Sequence, residues 1–186
     1  MLTMFIIAVI IFGLDQLTKV IISTNIQEGH SIKVINEFFY ITYLRNDGIA
    51  WGIDAKLWLL IIITIAAIGI FVFFAWKLKW KDDKWGIFTI GFMLGGTLGN
   101  FFDRVVRVEH SVIDFLDFKL YYPSFSGGFH FEIYDFPVFN VADVFLTVGA
   151  VMFIIYLFVI DRIKEKRKQQ VSNDNSNEEV IDIKNE

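Results

Sequence analysis

Four segments of the chain consist almost entirely of apolar residues. They cover residues 2–22, 57–76, 86–102 and 138–160. Charges interrupt the first segment at Asp15 and Lys19 and the fourth at Asp143, whereas the second and third carry none. Each segment is close to the ~20 residues that a helix needs to cross roughly 30 Å of hydrocarbon. The pattern therefore predicts an all-α membrane protein with four transmembrane helices.

The distribution of lysine and arginine predicts the orientation of these helices. Residues 77–84 contain four lysines and residues 161–170 contain five basic side chains, whereas 25–56 contain three and 106–137 two. Because cytoplasmic loops carry the excess of basic residues, both termini are expected to be cytoplasmic, with external segments at about 25–56 and 105–137. Residues 1–163 are expected to form a single domain, and residues 164–186 a polar, disordered cytoplasmic tail.

Both external segments have the composition of β-strands. Residues 32–44 and 115–136 are rich in β-branched and aromatic residues, which are enriched in strands. The stretch from Pro123 to Gly128 is typical of a turn. We therefore expect a small extracytoplasmic β-rich subdomain that lies at the membrane surface.

Composition limits the chemistry that such a protein can carry out. The chain contains no cysteine, which excludes disulfides, thiolate metal sites and a cysteine nucleophile. The three histidines, His30, His110 and His130, show no ligand spacing, so we expect neither a metal nor a cofactor. The formal net charge is −4 and no basic patch is interleaved with aromatic residues, so nucleic acid is not an expected partner.

Polar residues are concentrated toward one end of the predicted bundle. With the orientation above, they lie near the outer end of a helix or just beyond it: Asp15, Lys19, Asn100, Asp103, Arg104, Asp114, Asn140 and Asp143. At 1.5 Å per residue, all of them lie within roughly 10–15 Å of the outer interface. Ionisable residues in a membrane span are costly and usually functional. A functional site is therefore predicted near the extracytoplasmic face.

Two features of the helices have structural as well as functional interpretations. Asp15 and Lys19 are four residues apart and can pair on one helix face, either to anchor helix packing or to contact the reacting groups. The glycines between residues 91 and 99 have small-xxx-small spacings, which predict close helix packing.

Asp143 also allows several interpretations. It could pair with Arg104 or Lys19 for a purely structural purpose, or belong to the proton relay of a small transporter. It could also be half of a carboxylate pair that shares one proton and activates water, as in aspartyl proteases. Charge placement leaves these alternatives open, although the uncharged second span argues against a polar path through the bilayer. The candidates for the second carboxylate are Asp103, Asp114, Asp117 and Asp135.

Five short motifs follow one another along the chain. They are Asp15-Gln-Leu-Thr-Lys19, Asn46-Asp-Gly-Ile-Ala-Trp-Gly52, Gly95-Gly-Thr-Leu-Gly-Asn-Phe-Phe-Asp-Arg104, Val112-Ile-Asp-Phe115 and Phe139-Asn-Val-Ala-Asp143. Together they resemble the D-Q-x-x-K, N-x-G-x-A-F-G, G-G-x-x-G-N-x-x-D-R, V-x-D-F and F-N-x-A-D motifs of the lipoprotein signal peptidases (signal peptidase II). Trp51 stands where Phe is usual. Each motif alone is a weak signal, but five in this order are specific.

The resemblance implies an intramembrane aspartyl endopeptidase of the bacterial cytoplasmic membrane. It would remove signal peptides from lipid-modified prolipoproteins by cleaving before the diacylglyceryl-cysteine, without a metal or cofactor and without an obligate protein partner. The implied catalytic pair is Asp114 and Asp143. The residues with implied substrate-binding or supporting roles are Asp15, Lys19, Asn46, Asn100, Arg104 and Asn140. An aromatic belt at the membrane surface would be formed by Phe38, Phe39, Tyr40 and Trp51.

One departure from the family pattern concerns the spacing of the implied pair. Asp114 and Asp143 are 29 positions apart, which is longer than the resemblance leads us to expect. The additional length falls between Lys119 and Asp135, in an external segment where an insertion is tolerated at little energetic cost. We therefore expect the outer cover of the site to differ from the family, and the pair itself to be retained.

Overall fold

The structure is a computed structural model that describes residues 2–48, 57–77, 83–124 and 130–160, together with residues 162, 163, 166, 169 and 170. Within these ranges, the side chains of residues 122–124, 130–135, 159 and 160 are not described. The predicted disordered tail lies largely outside the described residues, and so do residues 125–128 of the predicted turn.

Among the described residues, four helices are long and apolar enough to cross a membrane. They are α1 (Leu2–Asn25), α2 (Leu57–Lys77), α3 (Lys84–Val106) and α4 (Val141–Ile155), and α4 continues as a π-helical turn, Tyr156–Ile160. The prediction of four apolar helices is therefore confirmed.

The helix ends differ from the predicted ends for identifiable reasons. The side chain of Asp83 accepts a hydrogen bond of 3.0 Å from the Gly86 amide, and this N-cap starts α3 at Lys84, two residues earlier than predicted. The fourth helix starts three residues later than predicted, at Val141, because Phe139 forms a β-bridge with Leu116. The residues before α4 are thus extended, as the backbone next to a β-bridge must be.

Glycines of α3 allow its close contact with two other helices. A Cβ atom placed on Gly95 or Gly99 would come within 3 Å of atoms of α1, and one on Gly96 would clash with the carbonyl oxygen of Ala142 in α4. The predicted close helix packing is confirmed. The start of α3 contacts the start of α1 and the end of α3 contacts the end of α1, so these two helices run parallel. The start of α3 contacts the end of α4, so α3 and α4 run antiparallel. All three helices thus bring their polar residues to one end of the bundle.

Helix α2 packs mainly at the opposite end of the bundle. Its residue Ala75 is buried in an apolar cluster with Met4 and Ala8 of α1 and Ile90 of α3. Much of the rest of α2 exposes large apolar side chains, as expected for a helix whose solvent is lipid. The sequence of α2 contains no charged residue before Lys77, so this helix contributes apolar packing to the bundle.

Four antiparallel strands form a sheet in the order β1-β2-β3-β4. They are β1 (Ser31–Ile35), β2 (Phe39–Asn46), β3 (Val112–Ser124) and β4 (His130–Asp135). The predicted β-rich subdomain is confirmed. Of the turn predicted at residues 123–128, Pro123 and Ser124 belong to β3 and the other residues lie outside the described part of the chain. Pro123 lies in β3 and pairs with Phe131. It is tolerated there because β3 is paired with β2 only up to Phe118, which leaves one edge of Pro123 without a strand.

The sheet is attached to the polar end of the bundle, where α1 and α3 end and α4 begins. Ile22 and Ile26 at the end of α1 share a buried apolar cluster with Tyr43, Ile113 and Phe115 of the sheet. Backbone amides of Phe115 and Leu116 also donate to the carbonyl oxygen of Phe139, just before α4. These contacts hold β3 beside the first turn of α4.

Replacement of Gly96 should measure the energetic importance of the α3–α4 contact. A leucine at this position would overlap the backbone of α4, and overpacking of this kind lowers the free energy of unfolding by about 1–3 kcal/mol. The matched control is Gly69→Leu in α2, because the position is also helical and no described residue lies within 4 Å of a Cβ atom placed there. Thermal unfolding in detergent checks the prediction, and equal stability of Gly96→Leu and Gly69→Leu would contradict it.

Candidate active site

All eight residues singled out by the motifs lie at the polar end of the bundle. Helix α1 supplies Asp15 and Lys19, α3 supplies Asn100 and Arg104, and the start of α4 supplies Asn140 and Asp143. The sheet contributes Asn46 at the end of β2 and Asp114 near the start of β3. The β2–β3 pairing places Asn46 opposite Val112, two residues from Asp114. Five separate elements therefore meet at this point.

Asn140 connects the first turn of α4 to the sheet. As the N-cap of α4, its side-chain oxygen accepts a hydrogen bond of 3.0 Å from the Asp143 amide, while the Asp143 carboxylate accepts one of 3.1 Å from the Asn140 amide. This reciprocal capping box leaves the side-chain nitrogen of Asn140 free to point away from the helix. That nitrogen donates to Asp114 Oδ1 at 2.6 Å. Asp114 and Asp143 are thus both bound to the same asparagine.

Asp114 is almost completely enclosed. Its side chain is only 3% exposed, and its second carboxylate oxygen accepts a hydrogen bond of 2.9 Å from Asn46 Nδ2. Burial, and then the negative charge of Asp143, raise the pKa of Asp114 to about 6, although hydrogen bonds from Asn46 and Asn140 oppose this shift. A neighbouring like charge and desolvation both disfavour ionisation. Asp114 can therefore hold a proton close to neutral pH.

Asp143 is half-buried and faces α3. Its Oδ1 atom accepts a hydrogen bond of 2.7 Å from Asn100 Nδ2. The Asn100 oxygen in turn accepts from Lys19 Nζ at 2.9 Å and from Asn140 Nδ2 at 3.1 Å. A continuous hydrogen-bonded path therefore runs from Lys19 through Asn100 to Asp143.

Lys19 lies at the centre of a buried ionic cluster. Its ammonium is 2.8 Å from Asp15 Oδ2 and 2.7 Å from Asp103 Oδ2, and all three side chains are fully buried. Asp103 also pairs with Arg107 at 2.7 Å. The four charges sum to zero, which is the condition under which charges can be kept in a dry interior. Asp15 additionally accepts a hydrogen bond from the Ala142 amide at 3.0 Å, so the cluster also holds the start of α4.

Arg104 lies beside this network. Its guanidinium donates to the carbonyl oxygen of Gly48 at 3.3 Å, and its positive charge interacts favourably with Asp143 and Asp114. The contact with Gly48 holds the chain just after Asn46, whose side-chain oxygen accepts from the Gly48 amide at 3.1 Å.

The other candidates for the second carboxylate have different partners. Asp103 is bound to Lys19 and Arg107 as described above. Asp117 accepts a hydrogen bond of 2.7 Å from Thr42 and lies 3.1 Å from Lys119. The side chain of Asp135 lies outside the described residues. The geometry thus favours Asp114 over Asp103 and Asp117 as the neighbour of Asp143.

Two members of the ionic cluster had no predicted role. Gln16 donates to Asp15 and to Asp103 Oδ1, and its oxygen accepts from Arg107 at 3.2 Å. Arg107 follows Asp103 by four residues, the same spacing that drew attention to Asp15 and Lys19, so the sequence contained a signal for it. The only signal for Gln16 in the sequence was its position in the first motif.

The aromatic residues predicted to form a surface belt are described in part. Phe38 is exposed, whereas Phe39 is half-buried and stacks on Phe118 with ring centres 4.6 Å apart. Trp51 lies outside the described residues. Within the described ranges, no three His, Cys, Asp or Glu side chains are placed to hold a metal ion.

Comparison with known proteins places this geometry in a family. A family model described as signal peptidase (SPase) II matches residues 7–159. The chain is 39% identical over 159 residues to the lipoprotein signal peptidase of Listeria monocytogenes serotype 4b (strain CLIP80459), covering 85% of this chain and 94% of that relative. It is 40% identical over 156 residues to the lipoprotein signal peptidase of Bacillus pumilus (strain SAFR-032), covering 83% and 92% respectively.

Two solved structures are also similar to this chain. One is a bacterial membrane enzyme determined by the in meso method at 2.3 Å resolution, with a TM-score of 0.68 and 39% identity over 83% of this chain and 87% of the other. The second, a bacterial membrane enzyme at 1.9 Å resolution, gives a TM-score of 0.66 and 38% identity over 84% and 93%. Sequence and fold thus agree over most of the length, and the chain belongs to the signal peptidase II family.

Proposed function

We propose that this chain removes signal peptides from lipid-modified prolipoproteins and that Asp114 and Asp143 are its catalytic pair. The observation that carries the assignment is the binding of both carboxylates by Asn140, which donates to Asp114 and caps the helix turn that contains Asp143. Two neighbouring carboxylates whose charges interact share one proton rather than ionising together. A pair of this kind contains a base and an acid at the same time.

The reaction needs nothing beyond this pair and a water molecule. The ionised carboxylate takes a proton from water as the water oxygen attacks the scissile carbonyl carbon, and the protonated carboxyl polarises the carbonyl oxygen. The tetrahedral intermediate then collapses when the leaving nitrogen is protonated. Cleavage before the diacylglyceryl-cysteine is what the motif resemblance implies, and the similarity to lipoprotein signal peptidases supports it.

The supporting residues keep the pair in position. Asn46 and Asn140 donate to Asp114, and Asn100 donates to Asp143. Lys19 holds Asn100, and Asp15 holds the start of α4 through the Ala142 amide. Arg104 faces both carboxylates with a positive charge. Groups that are locked by packing and by further hydrogen bonds keep a reactive constellation in its productive geometry.

The location of the site suits a substrate that is itself in the membrane. The pair lies where α1 and α3 end and α4 begins, so a signal peptide could lie among the helices while its diacylglyceryl chains remain in lipid. The excess of lysine and arginine in residues 77–84 and 161–170 supports cytoplasmic termini. The site would then face the extracytoplasmic side of a bacterial cytoplasmic membrane, and membrane lipid would be its second partner.

Asp114→Asn and Asp143→Asn should each abolish cleavage of a purified diacylglyceryl-modified prolipoprotein. Because general acid–base catalysis contributes about 10²–10⁴-fold to a rate, each loss should be at least of that size. Asp117→Asn is the matched control, since Asp117 is also a buried carboxylate of β3 but is bound to Thr42. Near-normal cleavage by either variant of the pair would reject the assignment, and so would an equal loss in the control with its fold intact.

Cleavage should show a bell-shaped dependence on pH, because activity requires one proton in the pair. The pKa of Asp114 is raised to about 6, so kcat/KM should fall as that proton is lost above this pH, and fall again at low pH when both carboxylates are protonated. Bound substrate excludes more water and favours the neutral carboxyl. The alkaline limb of kcat should therefore lie at higher pH than that of kcat/KM. A rate independent of pH on both sides of neutrality would refute this.

Cysteine labelling tests the orientation, and the natural absence of cysteine makes the experiment simple. Lys33→Cys, in exposed strand β1, should react in intact cells with a maleimide that cannot cross the membrane. Ser176→Cys, near the C-terminus, should react only after the cells are permeabilised. The opposite pattern would reverse the predicted topology.

A further inference from the structure

The three asparagines around the carboxylate pair each have a fixed orientation. An asparagine side chain can donate from its nitrogen or accept at its oxygen, and a partner that can only donate determines which atom faces it. For Asn46 this partner is the Gly48 amide, for Asn140 it is the Asp143 amide, and for Asn100 it is the Lys19 ammonium. All three side-chain nitrogens must consequently point away from these donors.

These nitrogens supply the hydrogen bonds that the two carboxylates accept. Asp114 accepts one from Asn140 at Oδ1 and one from Asn46 at Oδ2. Asp143 accepts one from Asn100 at Oδ1 and one from the Asn140 amide at Oδ2. Because each carboxylate accepts two such bonds, hydrogen bonding alone does not decide which of them is ionised.

The surroundings of the two carboxylates differ in burial and in backbone dipole. Asp143 is half-buried and lies in the first turn of α4, where the helix dipole stabilises a negative charge. Asp114 is 3% exposed and lies in a strand, whose alternating peptide dipoles largely cancel. Both differences favour a charge on Asp143.

Charged groups of three helices face the pair, and among them Lys19 favours a charge on Asp114. Asp114 is faced by Asp143 from α4, by Lys19 from α1 and by Arg104 from α3, whereas β2 presents the neutral Asn46. The ammonium of Lys19 is already engaged by two carboxylates of its own cluster, and it connects to Asp143 through Asn100. The positive charge of Arg104 interacts favourably with Asp143 and Asp114, and also with Asp103.

We propose that Asp114 carries the shared proton in the resting enzyme and that Asp143 is the ionised carboxylate that deprotonates water. This inference rests on the proposed function and assigns a separate role to each member of its catalytic pair. Lys19 becomes a positioning residue, because it turns the Asn100 nitrogen toward Asp143. The raised pKa of Asp114 agrees with this assignment.

The reaction then has a definite sequence of proton transfers. Asp143 takes one proton from water, the hydroxide oxygen bonds to the carbonyl carbon, and Asp114 gives its proton to the carbonyl oxygen. In the second step Asp143 gives its proton to the leaving nitrogen as the carbon–nitrogen bond breaks, and Asp114 recovers a proton from a hydroxyl of the intermediate. One water is consumed, and both carboxyl groups return to their initial states.

Carbon-13 NMR of the full chain in detergent, labelled at the aspartate carboxyl carbon, tests the assignment. One resonance should titrate close to neutral pH. It should be absent from Asp114→Asn. It should persist in Asp143→Asn with its midpoint shifted down, because a like charge has been removed, but still above the ordinary value of about 4, because Asp114 remains buried. Loss of the resonance in Asp143→Asn together with its retention in Asp114→Asn would overturn the proposal, as would the absence of any such resonance.

A second variant keeps the proposal testable if an aspartate variant does not fold. Asn46→Leu removes a hydrogen bond from Asp114 and leaves the donors to Asp143 in place. The titration midpoint of the resonance near neutral pH should move upward if Asp114 is the titrating group and should not move if Asp143 is. Cleavage assays on the same samples test the catalytic pair separately from the placement of the proton. Cleavage by the aspartate variants refutes the catalytic pair, whereas inactive variants with a reversed NMR pattern refute only the placement of the proton.

Discussion

The ion pairs of Lys19 are the interaction on which the rest of the polar end depends. An ammonium buried within a membrane-spanning bundle is tolerable only when carboxylates offset its charge and accept its protons. Asp15 and Asp103 do so from two different helices. The same cluster binds the first turn of α4 through Asp15, so it joins three helices at one depth.

Close helix packing and this ionic cluster require each other. Gly99 faces Asp15, and a Cβ atom at that position would lie 2.5 Å from Asp15 Oδ2. A larger residue would therefore separate α1 from α3 and break the contacts of Lys19. The glycines bring the backbones together, and the ion pairs then fix the angular position of each helix. Neither feature alone would align Asn100 with Asp143.

Some of the site could be predicted from local sequence and some could not. The spacing of Asp15 and Lys19 correctly indicated a pair, whereas the pair of Asp103 and Arg107 was not predicted although its spacing is the same. Gln16 was missed because a neutral side chain in an apolar helix carries no electrostatic signal, although it bridges both pairs. The start of α4 was misplaced because apolar residues before Asn140 fit a helix as well as they fit the β-bridge that they form.

By itself, the sequence determined the four membrane spans, the strand-rich segments and the concentration of polar residues at one end of the bundle, because apolar length and residue type are local properties. Only the tertiary structure decided that Asp114, rather than Asp103 or Asp117, shares Asn140 with Asp143. That choice depends on the β-bridge at Phe139 and on the register of β2 with β3. These contacts join residues far apart along the chain, and backbone pairing of this kind leaves no trace in the spacing of the carboxylates.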